Sequence, residues 1–111
     1  MILSSFATYV IEDALSHLSG ITIRAMFGGY GIYKDGYFFA IMDEDSLYFK
    51  VDETNKNDYE ELESYPFSYI AKGKKMQMNY FLVPEEILEQ KEKIGEWVEK
   101  SVSVAKRNKK V

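Results

Sequence analysis

The apolar positions of this chain change period several times. From Leu3 to Leu18 they recur at helical spacing, with Leu3, Phe6, Ala7, Val10, Ile11, Ala14, Leu15 and Leu18 on one stripe. Ser4 or Ser5 is placed to cap this first helix. Gly20 stands where a left-handed residue would end it. Burying such a stripe contributes about 1.5–3 kcal/mol per large side chain, so the helix is predicted to dock on the sheet downstream of it.

From Arg24 to Val51 the period drops to two and predicts an antiparallel meander. Asp35-Gly36 is a hairpin signal, because a type I′ turn needs positive φ at both central positions. Tyr33-Lys34 is then expected to pair with Tyr37-Phe38. Asp43, Glu44 and Asp45 make the next polar break. Beyond it, Leu47, Phe49 and Val51 alternate with Tyr48 and Lys50. The strand before Asp35 is interrupted by Gly28-Gly29, which predicts a bulge, a sharp bend or a close backbone approach. At least one of the two glycines is expected at positive φ or in a bulge. Ile23 to Phe27 and Tyr30 to Tyr33 cannot both keep their large residues inward in one flat strand.

Residues 52–65 are polar and predict a short second helix begun by Asp52 or Thr54, with Tyr59 and Leu62 inward and Pro66 ending it. A second hairpin comes next, from Phe67 to Lys72 and from Met76 to Leu82, with Gly73-Lys74-Lys75 as its turn. Pro84 suits the first position of a third helix, whose stripe is Ile87, Leu88, Ile94, Trp97, Val98, Val102 and Ala105. The basic tail, residues 106–111, is expected to fray. The order α-β-β-β-α-β-β-α predicts an α+β fold in two layers, a five-stranded antiparallel sheet with helices packed on one face.

Composition narrows the function classes. The 111 residues are expected to form a single domain over 1–111, with 46% apolar content that places them among folded chains. There is no cysteine, which removes disulfide and thiolate chemistry and suits a cytoplasmic protein. No run reaches the length of a membrane span, and the N-terminus lacks the pattern of a signal peptide. The net charge of −4 makes direct nucleic-acid binding unfavourable.

The candidate chemistry is thin. Gly28-Gly29-Tyr30-Gly31 lies between extended segments and lacks both the Gly-Lys-Ser/Thr ending of a phosphate loop and the helix of a dinucleotide loop. His17 is the single histidine, off the apolar stripe and without the converging ligands that a metal needs. Asp43, Glu44 and Asp45 lack the rest of a calcium loop. No catalytic residue, metal or cofactor is therefore expected, and the chain reads as a non-enzyme. The aromatic content is high at 15%. Tyr48 and Phe81 are expected on a sheet face that the helices leave open. Two readings of that face stand: an interface, with a second copy as one candidate partner, or a sheet that curls so that the rings bury one another.

The run Ile23-Arg24-Ala25-Met26-Phe27-Gly28-Gly29-Tyr30-Gly31-Ile32-Tyr33 resembles the signature of the TfoX/Sxy N-terminal domain family. So do Phe39-Ala40-Ile41, Leu47-Tyr48-Phe49-Lys50-Val51, Phe67-Ser68-Tyr69 and Tyr80-Phe81-Leu82-Val83-Pro84. The resemblance implies a fold similar to secretion-chaperone domains. It also implies regulation of DNA competence and transcription, in which family members act with the cyclic-AMP receptor protein. Those longer proteins add a C-terminal helical domain; this sequence is expected to be the stand-alone domain. The family brings no catalytic residues. By motif position, Arg24, Met26, Phe27, Gly28, Gly29 and Tyr30, with Tyr48 and Phe81, are the candidate surface for a protein partner such as a transcription regulator. The alternative is a small-molecule or anion site at the Arg24–Tyr30 bend, where Arg24 could hold a carboxylate or phosphate.

Overall fold

The computed structural model describes residues 3–26 and 28–108. Ser4 caps the first helix, its hydroxyl accepting from the Ala7 amide at 3.1 Å. α1 (Ser5–Tyr9) runs into a π-helical segment, Val10–Ala14, closed by the Leu15 amide donating to the Val10 carbonyl. The wider turn lets Val10, Ala14 and Leu15 all face the core. Gly20 does take a left-handed φ of +75°, but the helix has already ended.

The sheet has six strands, not the five expected. They are β1 (Ile21–Met26), β2 (Gly29–Lys34), β3 (Tyr37–Asp43), β4 (Ser46–Lys50), β5 (Pro66–Ala71) and β6 (Lys74–Leu82), in the spatial order β1-β2-β3-β4-β6-β5. The glycine pair accounts for the difference. It does not bend one strand but reverses the chain, so that Met26 pairs with Gly29 and Ile23 with Ile32. Gly28 takes φ +79°, the positive value expected of one of the pair, but in a reversal between two regularly paired strands rather than in a change of register within one. Asp35 and Gly36 both take positive φ, and Tyr33 and Lys34 pair with Phe38 and Tyr37 as expected. In the last hairpin the turn is Lys72-Gly73, both left-handed, one residue earlier than the sequence suggested.

α2 (Lys56–Glu60) starts later than Asp52 because Asp52 closes a local turn instead, accepting from the Thr54 amide and hydroxyl. Buried Asn55 ties this turn down, accepting from the Asp52 amide and donating to the Lys50 carbonyl. Pro66 opens β5, where an edge position tolerates its missing donor. The third predicted helix is two: α3 (Glu85–Leu88), with Pro84 as its extended cap, and α4 (Lys91–Asn108). A continuous helix would have carried Lys91 inward on the stripe of Ile87, Leu88 and Ile94; the break leaves Lys91 exposed. Lys106 and Arg107 are part of α4. Lys106 lies 5.3 Å from the Tyr37 ring centre, and Arg107 pairs with Asp52 at 3.1 Å. Lys109, Lys110 and Val111 lie outside the described residues.

α1 and α4 pack on one face of the sheet. The core there joins Val10, Leu15, Phe39, Phe49, Ile94 and Val98, with Trp97 4.3 Å from Tyr59 between ring centres.

Candidate functional site

Strand register decides which candidates share a face. Side chains directly opposite in an antiparallel pair lie on the same side of the sheet. Phe49 pairs with Ala40 and with Phe81, so Phe81 faces the helices and packs 5.9 Å from Tyr59. Tyr30 pairs with Met42 on that same side and packs against the core. Tyr48 pairs with Ile41 and stands on the opposite, open face. Tyr48 and Phe81 therefore do not form one surface. Arg24 and Met26 join Tyr48 on the open face, Arg24 through its pairing with Gly31 and Met26 through its pairing with Gly29. Phe27 lies outside the described residues.

The open face curls. Met26 and Gly29 belong to one end of the sheet order and Phe67 and Tyr69 to the other, yet they line one groove of about 500 Å³. Two irregularities produce the bend. Phe39 is an extra residue between the Ile32–Ala40 and Tyr33–Phe38 pairs. Three residues of β6, Met78 to Tyr80, face one of β5 between Pro66–Phe81 and Ser68–Gln77. Such bulges increase twist and turn a strand out of the sheet plane. The reading in which the sheet curls and its rings bury one another holds for the centre of the face. Its centre is closed by rings: Tyr33 stacks on Phe38 at 5.1 Å, Phe38 meets Tyr80 at 5.8 Å, and Tyr48 meets Phe67 edge-on at 5.0 Å. What stays open is the groove walled by Met26, Phe38, Ile41, Phe67, Tyr69 and Met78, with Asp43 at its rim.

Gly31 lies beneath two of the groove's walls, Met26 and Phe38. A Cβ there would stand 2.9 Å from Met26 Sδ and 3.0 Å from Phe38 Cε1, so the missing side chain is the space in which Met26 and Phe38 lie. Gly29 does a different job, bringing β2 against the backbone of Met42. Two cations flank the rings. Lys50 Nζ lies 5.6 Å from the Tyr80 ring centre and 6.0 Å from that of Phe38, and burial lowers its pKa. The Arg24 guanidinium lies 6.0 Å from the Tyr33 ring centre and forms no ion pair among the described residues. Burial pushes the Tyr80 hydroxyl up to about 12 and raises that of Tyr48, the latter opposed by a hydrogen bond to Ser46.

Other features carry less. His17 is exposed and its Nε2 sits 3.0 Å from the Lys91 carbonyl oxygen, which joins the end of the first helix to the start of α4. No group of three His, Cys, Asp or Glu converges as a metal site among the described residues. A more open groove of about 600 Å³ lies between α1, β4 and α3, with Asp45, Glu85 and Glu89 on its lining. It lacks the continuous apolar wall of the sheet groove. Phe67, Tyr69 and Met78 were not among the candidates from sequence. Only the curl brings them to Met26, and no pattern along the chain announces a curl.

None of the curated proteins compared matches the chain. The family model of the TfoX N-terminal domain matches residues 13–105, a span that contains all six strands and nearly all of α4. The chain belongs to the TfoX N-terminal domain family.

Proposed function

We propose that this domain is a non-enzymatic protein-interaction module of the competence-regulator kind, which holds a protein partner of the transcription-regulator class in the curled groove. The observation that carries this reading is the groove's wall. It combines two flexible methionines, Met26 and Met78, with the rigid rings of Phe38, Phe67 and Tyr69. Thioether side chains repack around apolar surfaces of different shape, while aromatic rings offer contact area at little entropic cost. Family membership favours a regulatory role. The acidic balance of the chain disfavours a role that depends on phosphate contacts. No helix among the described residues is long and apolar enough to cross a membrane; the reading itself places the domain's action in the cytoplasm.

The test is cross-linked affinity capture from cells of the source organism with wild-type protein, Ile41→Asp, Met78→Asp and, on the helix side, exposed Glu99→Lys, each checked for fold by circular dichroism. A transcription regulator captured by wild type and Glu99→Lys and lost with both groove variants is the expected result. Reproducible absence of any partner, or equal capture by all four proteins, overturns the reading.

The exposed guanidinium of Arg24 favours a second reading, a small apolar acid lying in the groove with its carboxylate at Arg24. A thermal-shift screen of anions and nucleotides tests it. Ligand at a hundred times its dissociation constant adds about 2.7 kcal/mol. No shift with any compound, or an equal shift with Arg24→Ala, removes it.

A further inference from the structure

The two edges of the sheet are unlike. β1 carries exposed Arg24 in mid-strand. β5, Pro66 to Ala71, has no charged residue at all and no strand beside its outer edge among the described residues. An edge strand presents a row of unpaired amides and carbonyls, which natural sheets guard with charge, proline or bulges; β5 has Pro66 and a bulge opposite Phe67 at one end, and from Ser68 to Ala71 it has none of these. The exposed large hydrophobic residues gather at this same place: Tyr65 at 56%, Tyr69 at 44%, Ile70 at 71% and Met76 at 42% all lie on the β5–β6 hairpin or lead into it.

Charge says what covers this edge. Residues 64–84 contain Lys72, Lys74 and Lys75 and no acidic residue, within a chain of net charge −4. The segment that leads into β5 carries Glu60, Glu61 and Glu63. All six side chains are exposed, and none is in an ion pair among the described residues. The lysines therefore come after one end of β5 and the glutamates precede the other.

We propose that β5 pairs antiparallel with β5 of a second copy, joining two six-stranded sheets into one. A twofold axis sets Ala71 of one strand near Pro66 of the other. Each lysine tip then meets the other chain's Glu60, Glu61 and Glu63, so the edge is complementary to itself. A parallel pairing would set lysines against lysines. This contact runs along the backbone edge of β5, whose Phe67 and Tyr69 side chains also wall the groove, and it does not rest on the transcription-regulator reading.

The experiment is sedimentation velocity over a wide range of concentration, on wild type, on Lys72→Glu/Lys74→Glu/Lys75→Glu, on Glu60→Lys/Glu61→Lys/Glu63→Lys, and on an equal mixture of the two variants. Melting curves confirm that both variants fold; the six side chains are exposed, and the hydrogen bond that one of them makes, from Asn57 to Glu61 at 2.9 Å, lies at the surface. Wild type is expected to dimerise with concentration. Each variant alone should associate about tenfold more weakly or worse, and the mixture should recover dimer, since the two reversed surfaces fit one another. A wild type that stays monomeric throughout overturns the proposal, and so does a variant as dimeric as wild type. Loss of the dimer with Ile41→Asp while both charge variants keep it would place the contact in the groove and also overturn it. If the variants are monomeric and their mixture remains so, the lysines and glutamates do not meet across the edge and the proposal is overturned.

Discussion

Gly29 lies so close to Met42 on the adjacent strand that a methyl group on its Cα would run into the Met42 carbonyl oxygen. The obstacle is backbone within a sheet ladder and cannot rotate aside. Gly29→Ala should cost more than about 2 kcal/mol. Gly28 has open space around it and only its φ of +79° to defend, so Gly28→Ala should cost about 1 kcal/mol. Urea denaturation of the two variants separates the effects. Equal losses would mean that the approach to Met42 is not the constraint at Gly29.

Gly95 should behave in the opposite sense. It sits inside α4, and an added Cβ would lie 3.7 Å from His17 Nε2 and 3.8 Å from Leu18 Cδ2, both ordinary contacts. Gly95→Ala should therefore stabilise by about 0.5–1 kcal/mol through helix propensity. A lower thermal midpoint would show that the first helix and α4 need to approach more closely than they do here.

The Tyr59 hydroxyl is buried without a hydrogen-bond partner. Ser101 stands beside it and opposes the rise that burial gives its pKa, but the Ser101 proton is donated to the Lys50 carbonyl at 2.8 Å, which leaves the Tyr59 hydroxyl without a well-formed bond. Tyr59→Phe should be neutral or stabilise by up to about 1 kcal/mol, because an unpaired buried polar group is costly. Tyr59→Ala should lose about 3–5 kcal/mol, since the ring fills the space beside Trp97 and Phe81. A clear loss in Tyr59→Phe would reveal a bond to that oxygen.

Alkaline pH should destabilise the fold. Burial holds the Tyr80 hydroxyl up to about 12 against an ordinary 10.0, and burial raises Tyr9, Tyr48 and Tyr59 as well. A raised group gives stability that is full below its unfolded value and lost as pH climbs through its folded value. Lys50, lowered by burial, acts the other way, its cost fading as pH approaches its ordinary 10.5. The four tyrosines outnumber it, so the denaturation midpoint should fall between pH 10 and 12. Tyr80→Phe should remove about 1–3 kcal/mol of that fall. An unchanged slope in this variant would contradict the assignment.

The helices, strands and core were largely legible along the chain, because each buries a stripe or an alternation. Leu47, Phe49 and Val51 point inward as their spacing requires. What was lost is informative. The glycine pair could mean a bend or a reversal, and only pairing between Met26 and Gly29 distinguishes them. Phe81 was set on the wrong face because its side depends on which residue of β4 stands opposite, a long-range fact. Asn55 was unmarked, although it holds two backbone groups at the end of β4. Most of the groove was invisible for the same reason as Phe81: its walls come from strands far apart in sequence.

The strand order has a consequence for how the chain reaches this state. Every neighbouring pair in the sheet is a hairpin except β4 with β6. Hairpins close over short loops and form early, whereas contacts at long sequence separation must first overcome the entropy of closing the loop between them. One such closure suffices here. It brings the second hairpin onto the meander across the span that holds α2. Contact between Phe49 and Phe81 belongs to that closure, so the side chain that sequence placed on the wrong face is one that joins the two parts of the sheet.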